Sequence, residues 1–117
     1  MQDLQDRLGY HFKDRELLDH ALTHSSFANE NKKLGLGDNE RLEFLGDSIL
    51  GQVTAEYLYN KTPAIPEGNM SKFRSELVCE TALYEVAKKL DLGSCIRLGK
   101  GEESTGGRDR PSILSDA

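Results

Sequence analysis

The chain has 117 residues, of which 37% are hydrophobic and 30% charged, with a net charge of −5. That is room for one modest domain and not two. No apolar run approaches the ~20 residues of a membrane-spanning helix, and no secretory pattern opens the chain, so a cytoplasmic protein with no membrane partner is expected. Cys79 and Cys95 have neither zinc-finger nor disulfide-framework spacing, and both are expected to be reduced and structural.

Helical periodicity runs through nearly the whole sequence, and the expected fold class is all-α. Gln2–Leu8 reads as a short first helix stopped by Gly9. Asp14 is placed to cap a second helix carrying Leu17, Leu18, Ala21 and Leu22 at helical spacing. Residues 28–37 are polar with two glycines and read as a loop. Asp38 or Asn39 then opens a long helix reaching about Asn60, which Pro63 and Pro66 break. One further long helix is predicted from about Asn69 to Leu90, with Gly93 as its stop signal. The stretch from Gly99 to Pro111 holds four glycines and reads as a loop, and Ser112 is the expected N-cap of a last helix. Gly99-Lys100-Gly101 lacks phosphate-loop spacing, so no nucleotide cofactor is expected.

A net acidic surface argues against holding a nucleic-acid backbone by basic residues alone. Acidic domains can still act on phosphates when divalent cations lie between, so clustering of the carboxylates is decisive. At ~100° per residue, Glu40, Glu43 and Asp47 fall on one side of the long helix. Leu42, Leu45, Ile49 and Val53 form a stripe on the other side, which is expected to face the core. Glu43 and Asp47 lie about 6 Å apart along the axis and can share an ion, whereas Glu40 and Asp47 are about 10.5 Å apart. Two readings stand at this point: a metal-holding face, or a solvated acidic face favoured by the helix dipole. Phe44 lies beside the acids, covered by a neighbouring helix or offered to a partner. His20 and His24 are four apart, a spacing that can bind zinc, but with no nearby cysteine or zinc-protease pattern packing and hydrogen bonding are the expected role. Lys72 and Arg74 are either phosphate contacts or a solvated basic face.

The run from Asn39 to Leu50, NERLEFLGDSIL, strongly resembles the signature of the ribonuclease III family. LGYHF at 8–12, ALTHSS at 21–26, EGNMS at 67–71 and SILSDA at 112–117 follow in the family's order and approximate spacing. The resemblance covers essentially the whole chain and is strongest to the bacterial enzymes. It implies the endonuclease domain of an enzyme that hydrolyses double-stranded RNA with magnesium, manganese being a substitute. That activity would process ribosomal precursor and other structured RNAs, leaving 5′-phosphates and short 3′ overhangs. Within it, Glu43, Asp47 and Asp116 correspond to metal ligands, with Asp47 also catalytic. Glu40 and Glu67 correspond to substrate-positioning acids, and Phe44 to an aromatic knob at a homodimer interface. A further acid of the family lies beyond Ala117, as do the rest of the last helix, the helix that follows it and a double-stranded-RNA-binding domain. Residues 1–117 are therefore expected to be an incomplete catalytic domain, weak in metal binding and cleavage. The competing expectations are a catalytically inactive dimerisation or RNA-scaffold module and, setting the family aside, a helical metal-binding or interaction domain.

Overall fold

The computed structural model describes residues 2–117, and among them the chain forms eight α-helices and three short 3-10 turns. The all-α expectation holds: the only β-type pairing among the described residues is an isolated parallel bridge between Thr23 and Arg97. No helix among the described residues is long and apolar enough to cross a membrane.

Helix α1 (Gln2–Leu8) ends where Gly9 adopts φ +70°, a left-handed conformation that glycine takes without penalty. Helix α2 (Arg15–Ala21) is opened as expected by Asp14, whose carboxylate accepts the Leu17 N–H. Helices α3 (Ser25–Glu30) and α4 (Glu40–Tyr59) follow, with a 3-10 turn at Lys32–Leu34 between them. The segment 28–37, expected as loop, therefore carries the end of α3 and an ordered turn.

The single helix expected over 69–90 is two: α5 (Glu67–Leu77) and α6 (Glu80–Lys89), separated by Val78 and an extended Cys79. The apolar period runs on across the break, so periodicity alone does not reveal it. Asp91, at φ 52°, makes the stop that Gly93 was expected to supply. Gly93 serves close packing instead, because a Cβ there would lie 2.8 Å from the Arg108 carbonyl oxygen.

The glycine-rich stretch also proves ordered. It holds α7 (Lys100–Ser104) and a 3-10 turn at Gly107–Asp109. Distant partners fix it: Arg108 donates to the Gly93 and Ile96 carbonyls at 2.7 and 2.8 Å, and Arg110 pairs with Glu102. The last helix, α8 (Pro111–Asp116), begins one residue before Ser112, so Ser112 lies inside it and is not its cap. Proline suits that first position because its missing N–H has no helical acceptor there.

The core gathers Leu4 of α1, Leu18 and Leu22 around α2, Ala87 of α6, Ile96 and Leu98 of the following segment, and Ile113 and Leu114 of α8. Helix α4 lies beside this core, burying Leu58 at its far end next to α5. Here the expected stripe is corrected. Leu42 is half-buried, but Leu45, Ile49 and Val53 are 55%, 51% and 58% exposed. The apolar side of α4 turned towards the core helices is Leu42, Gly46 and Leu50, which line the cavity between them. Gly46 and Leu50 lie angularly between the leucine stripe and the acids, so each flank is turned half outward.

Candidate active site

That rotation of α4 carries its acids towards α6 and α8. A cavity of about 390 Å³ opens between the three helices, with Glu43, Asp47 and Asp116 on its walls and Leu42, Leu50 and Leu83 among its apolar lining. An adjoining cavity of about 190 Å³ is lined by His24, Ser25, Glu40, Glu43, Ser112 and Asp116, among others. Four of the five acids singled out from the sequence thus surround two adjoining spaces, and Glu43 and Asp116 belong to both. Glu67 does not join them. It stands at the start of α5 in a separate groove between α4 and α5, with Gln52, Tyr59 and Arg74. Phe44 points away from the cavities and is 79% exposed.

Local chemistry holds the acids in place. Asp38 accepts the Glu40 N–H at 3.0 Å, and the Glu43 N–H donates to the Asn39 carbonyl at 2.8 Å, which starts the helix in register. Asn39 is tied to α2 by its own amide, donating to the Ala21 carbonyl at 2.9 Å. It lines both cavities. Burial raises the Glu43 pKa above its ordinary value of 4.5, and the negative charges of Asp116, Glu40 and Asp47 raise it further. Glu43 is therefore the point at which the like charges of the site are felt.

A hard, oxygen-preferring dication fits this donor set, since it would relieve that repulsion. No three ligating side chains among the described residues converge as a ready-made cage. Magnesium does not require one, because it commonly takes one or two carboxylates and keeps several waters.

The histidines have other work. His20 donates through Nε2 to the Asp38 carbonyl at 2.6 Å, bracing the entry to α4. His24 caps α3, its Nδ1 accepting the Ser26 N–H at 3.1 Å. They do not form a zinc pair with a third ligand among the described residues. Lys72 and Arg74 are exposed on α5, away from the acidic cavities. His24, Asn39 and Ser112 were not read from the sequence as lining the site. The only signal for His24 is its place in the ALTHSS run, and for Ser112 its place in SILSDA.

An all-helical domain with carboxylates from α4 and α8 around a shared cavity defines an acidic site compatible with a divalent cation. A family model described as Ribonuclease-III-like matches residues 14–117, and the chain belongs to that family. Proteins named Ribonuclease 3 are similar along its length: 54% identical over 97% of the chain in Pelotomaculum thermopropionicum and 50% over all of it in Oceanobacillus iheyensis. The chain covers 47% and 51% of those relatives, so it spans about half the length of the curated proteins it matches. Two structures of the nuclease domain of ribonuclease III from Campylobacter jejuni superpose with TM-scores of 0.87 and 0.88 at 46% identity. They cover 97% and 99% of this chain, which in turn spans 76% and 75% of theirs. One of them is described as flexible in a region involved in dimer formation.

Proposed function

We propose that this chain is the catalytic portion of a divalent-cation-dependent endoribonuclease acting on double-stranded RNA, with Glu43, Asp47 and Asp116 as the cation-holding residues. The observation that carries the reading is the shared cavity, where Glu43 is loaded with the charges of Asp116, Glu40 and Asp47. A carboxylate kept at such cost is one a cation makes favourable. When bound, magnesium or manganese supplies charge neutralisation at a phosphate and an acidified water. The chain's own residues supply the rest. Leu42 and Leu50 line the cavity beside Glu43, whose partial burial strengthens its pull on a cation. Glu43 and Asp47, one turn apart on a long helix, are held with fixed relative geometry. Glu40 opens onto the second cavity and is assigned to positioning the substrate. Cytoplasmic action on ribosomal precursor and other structured RNAs, with 5′-phosphate and short 3′-overhang products, belongs to the same proposal.

Homodimerisation is part of it. Phe44, together with Leu45 and Ile49, presents apolar surface that no described element covers, and a second copy would bury it. Glu67 lies in its own groove and is assigned to positioning a duplex that passes across the dimer rather than to the cation. The test is cleavage of a long RNA duplex by the chain, alone and joined to the half that its relatives carry beyond it. Cleavage is expected to require magnesium or manganese and to fall at least a hundredfold in Asp47→Asn, a loss of about 2.7 kcal/mol of transition-state stabilisation. Undiminished cleavage by Asp47→Asn, or no cleavage by the longer protein, overturns the catalytic reading and favours the inactive scaffold module.

A further inference from the structure

The smaller cavity is lined by neutral polar side chains as well as by its acids, and the hydrogen bonds of one of them, His24, fix its tautomer. The Nδ1 of His24 accepts the backbone N–H of Ser26 at 3.1 Å. It also sits 2.8 Å from the Ser26 hydroxyl oxygen. That hydroxyl already accepts the Gly99 N–H at 2.9 Å, so its own hydrogen is free to point at Nδ1. A backbone N–H can only donate, so Nδ1 carries no proton and the neutral ring must hold its hydrogen on Nε2. No protein partner for Nε2 exists among the described residues. The residue lines the space that Glu40, Glu43, Asp116 and Ser112 also line.

We propose that His24 is a substrate-binding residue, its Nε2–H donating to a phosphate oxygen of the RNA strand brought to the cavity. This rests on the function proposed above. The chemistry suits the place. A lysine or arginine here would pair with Glu40, Glu43 or Asp116 and compete with the cation for them. A neutral donor holds a phosphate oxygen without neutralising the acids. Because the cap at α3 holds the ring, the donor is oriented before the ligand arrives. The same hydrogen bonds that make His24 a helix cap thus make it a one-way donor into the site.

The test uses the purified chain with calcium in place of magnesium and a short RNA duplex as the probe. Nitrogen-15 spectra of the imidazoles are read before and after the duplex is added. In the free protein His24 is expected as the Nε2–H tautomer, and an Nδ1–H tautomer overturns the proposal at once. With duplex, the Nε2–H signal is expected to shift and to resist exchange with water. His24→Asn keeps a short cap acceptor but lacks the far nitrogen. It is expected to melt as the wild type does and to bind duplex about tenfold more weakly. His24→Gln carries a far donor but loses the short acceptor, so it is expected to melt lower yet bind within about threefold of wild type. A merely structural histidine reverses that order. Wild-type affinity in His24→Asn overturns this inference alone. Absence of calcium-dependent duplex binding both by the wild-type chain and by the chain extended to its relatives' full length overturns the function proposed above and this inference with it.

Discussion

Glu43 concentrates the electrostatics of the molecule, and its behaviour with pH follows from the direction of its shift. Burial first, and then Asp116, Glu40 and Asp47, favour its protonated form in the folded state. The cost of ionising it is therefore absent below the ordinary value of 4.5 and fully present above the raised folded value. Cation-free stability is expected to fall as pH rises through that window. Glu43→Gln removes the fall, so at pH 7 the variant should melt higher than the wild type, and at pH 4 no differently. Added magnesium should stabilise the wild type and not the variant. Thermal melts at the two pH values, with and without magnesium, decide it.

Gly99 is the steric counterpart. It is buried, and a Cβ on it would meet the Glu30 carboxylate and lie 2.7 Å from the Ser26 carbonyl oxygen. The same carboxylate accepts the Lys100 and Gly101 N–H groups at 3.0 and 3.3 Å. Gly99→Ala should therefore push Glu30 off α7 and cost about 1–3 kcal/mol. Urea unfolding measures that loss, and an unchanged midpoint would contradict the close approach.

At the scale of elements, α4 combines two roles that its sequence does not separate. Its acids were placed on one face by spacing, and that much was available from residues 39–50 alone. Which of its apolar residues meets the core was not, because the helix is apolar over a wide arc and the covering elements decide the contact. Leu45, Ile49 and Val53 remain largely exposed, while Leu18 and Leu22 of the α2 region are buried. The energetic consequence is sharp. In the dilute chain Ile49→Gln should alter stability by no more than about 0.5 kcal/mol, whereas Leu18→Ala should cost about 2–5 kcal/mol. Denaturant midpoints of the two variants check the assignment, and a large loss in Ile49→Gln would show the stripe to be packed. The break between α5 and α6 teaches the same lesson. Val78 and Cys79 are not helix breakers, and only the packing of α6 against α8 turns the chain there.

The molecule as a whole is a small helical core with one long helix beside it that packs chiefly on α5, and its apolar surface is unevenly spread. Phe44, Leu45, Ile49, Val53 and Tyr57 are all exposed along α4. Self-association that grows with concentration is the expected result. Phe44→Asp should weaken it at least about thirtyfold, a hot-spot-sized loss, while leaving the melting of the monomer unchanged. Sedimentation velocity across a concentration series tests this, and identical association in the variant would remove Phe44 from the interface.

Sequence by itself determined the helical class, the Asp14 cap, the stop at Gly9 and the spacing of Glu40, Glu43 and Asp47. It also carried the resemblance to the family, which the family match over residues 14–117 bears out. These are local properties: backbone periodicity, capping chemistry and the fixed rise of a helix. Tertiary structure alone decided the rest. It placed Asp116 of α8 in the cavity beside Glu43, left Glu67 in a different groove and turned His24 into the wall of a site. It also ordered the glycine-rich stretch, through Arg108 and the distant Gly93 and Ile96 carbonyls. Each of these depends on groups far apart in the chain meeting across a packed core, and the spacing of residues along one helix holds no record of what lies opposite it.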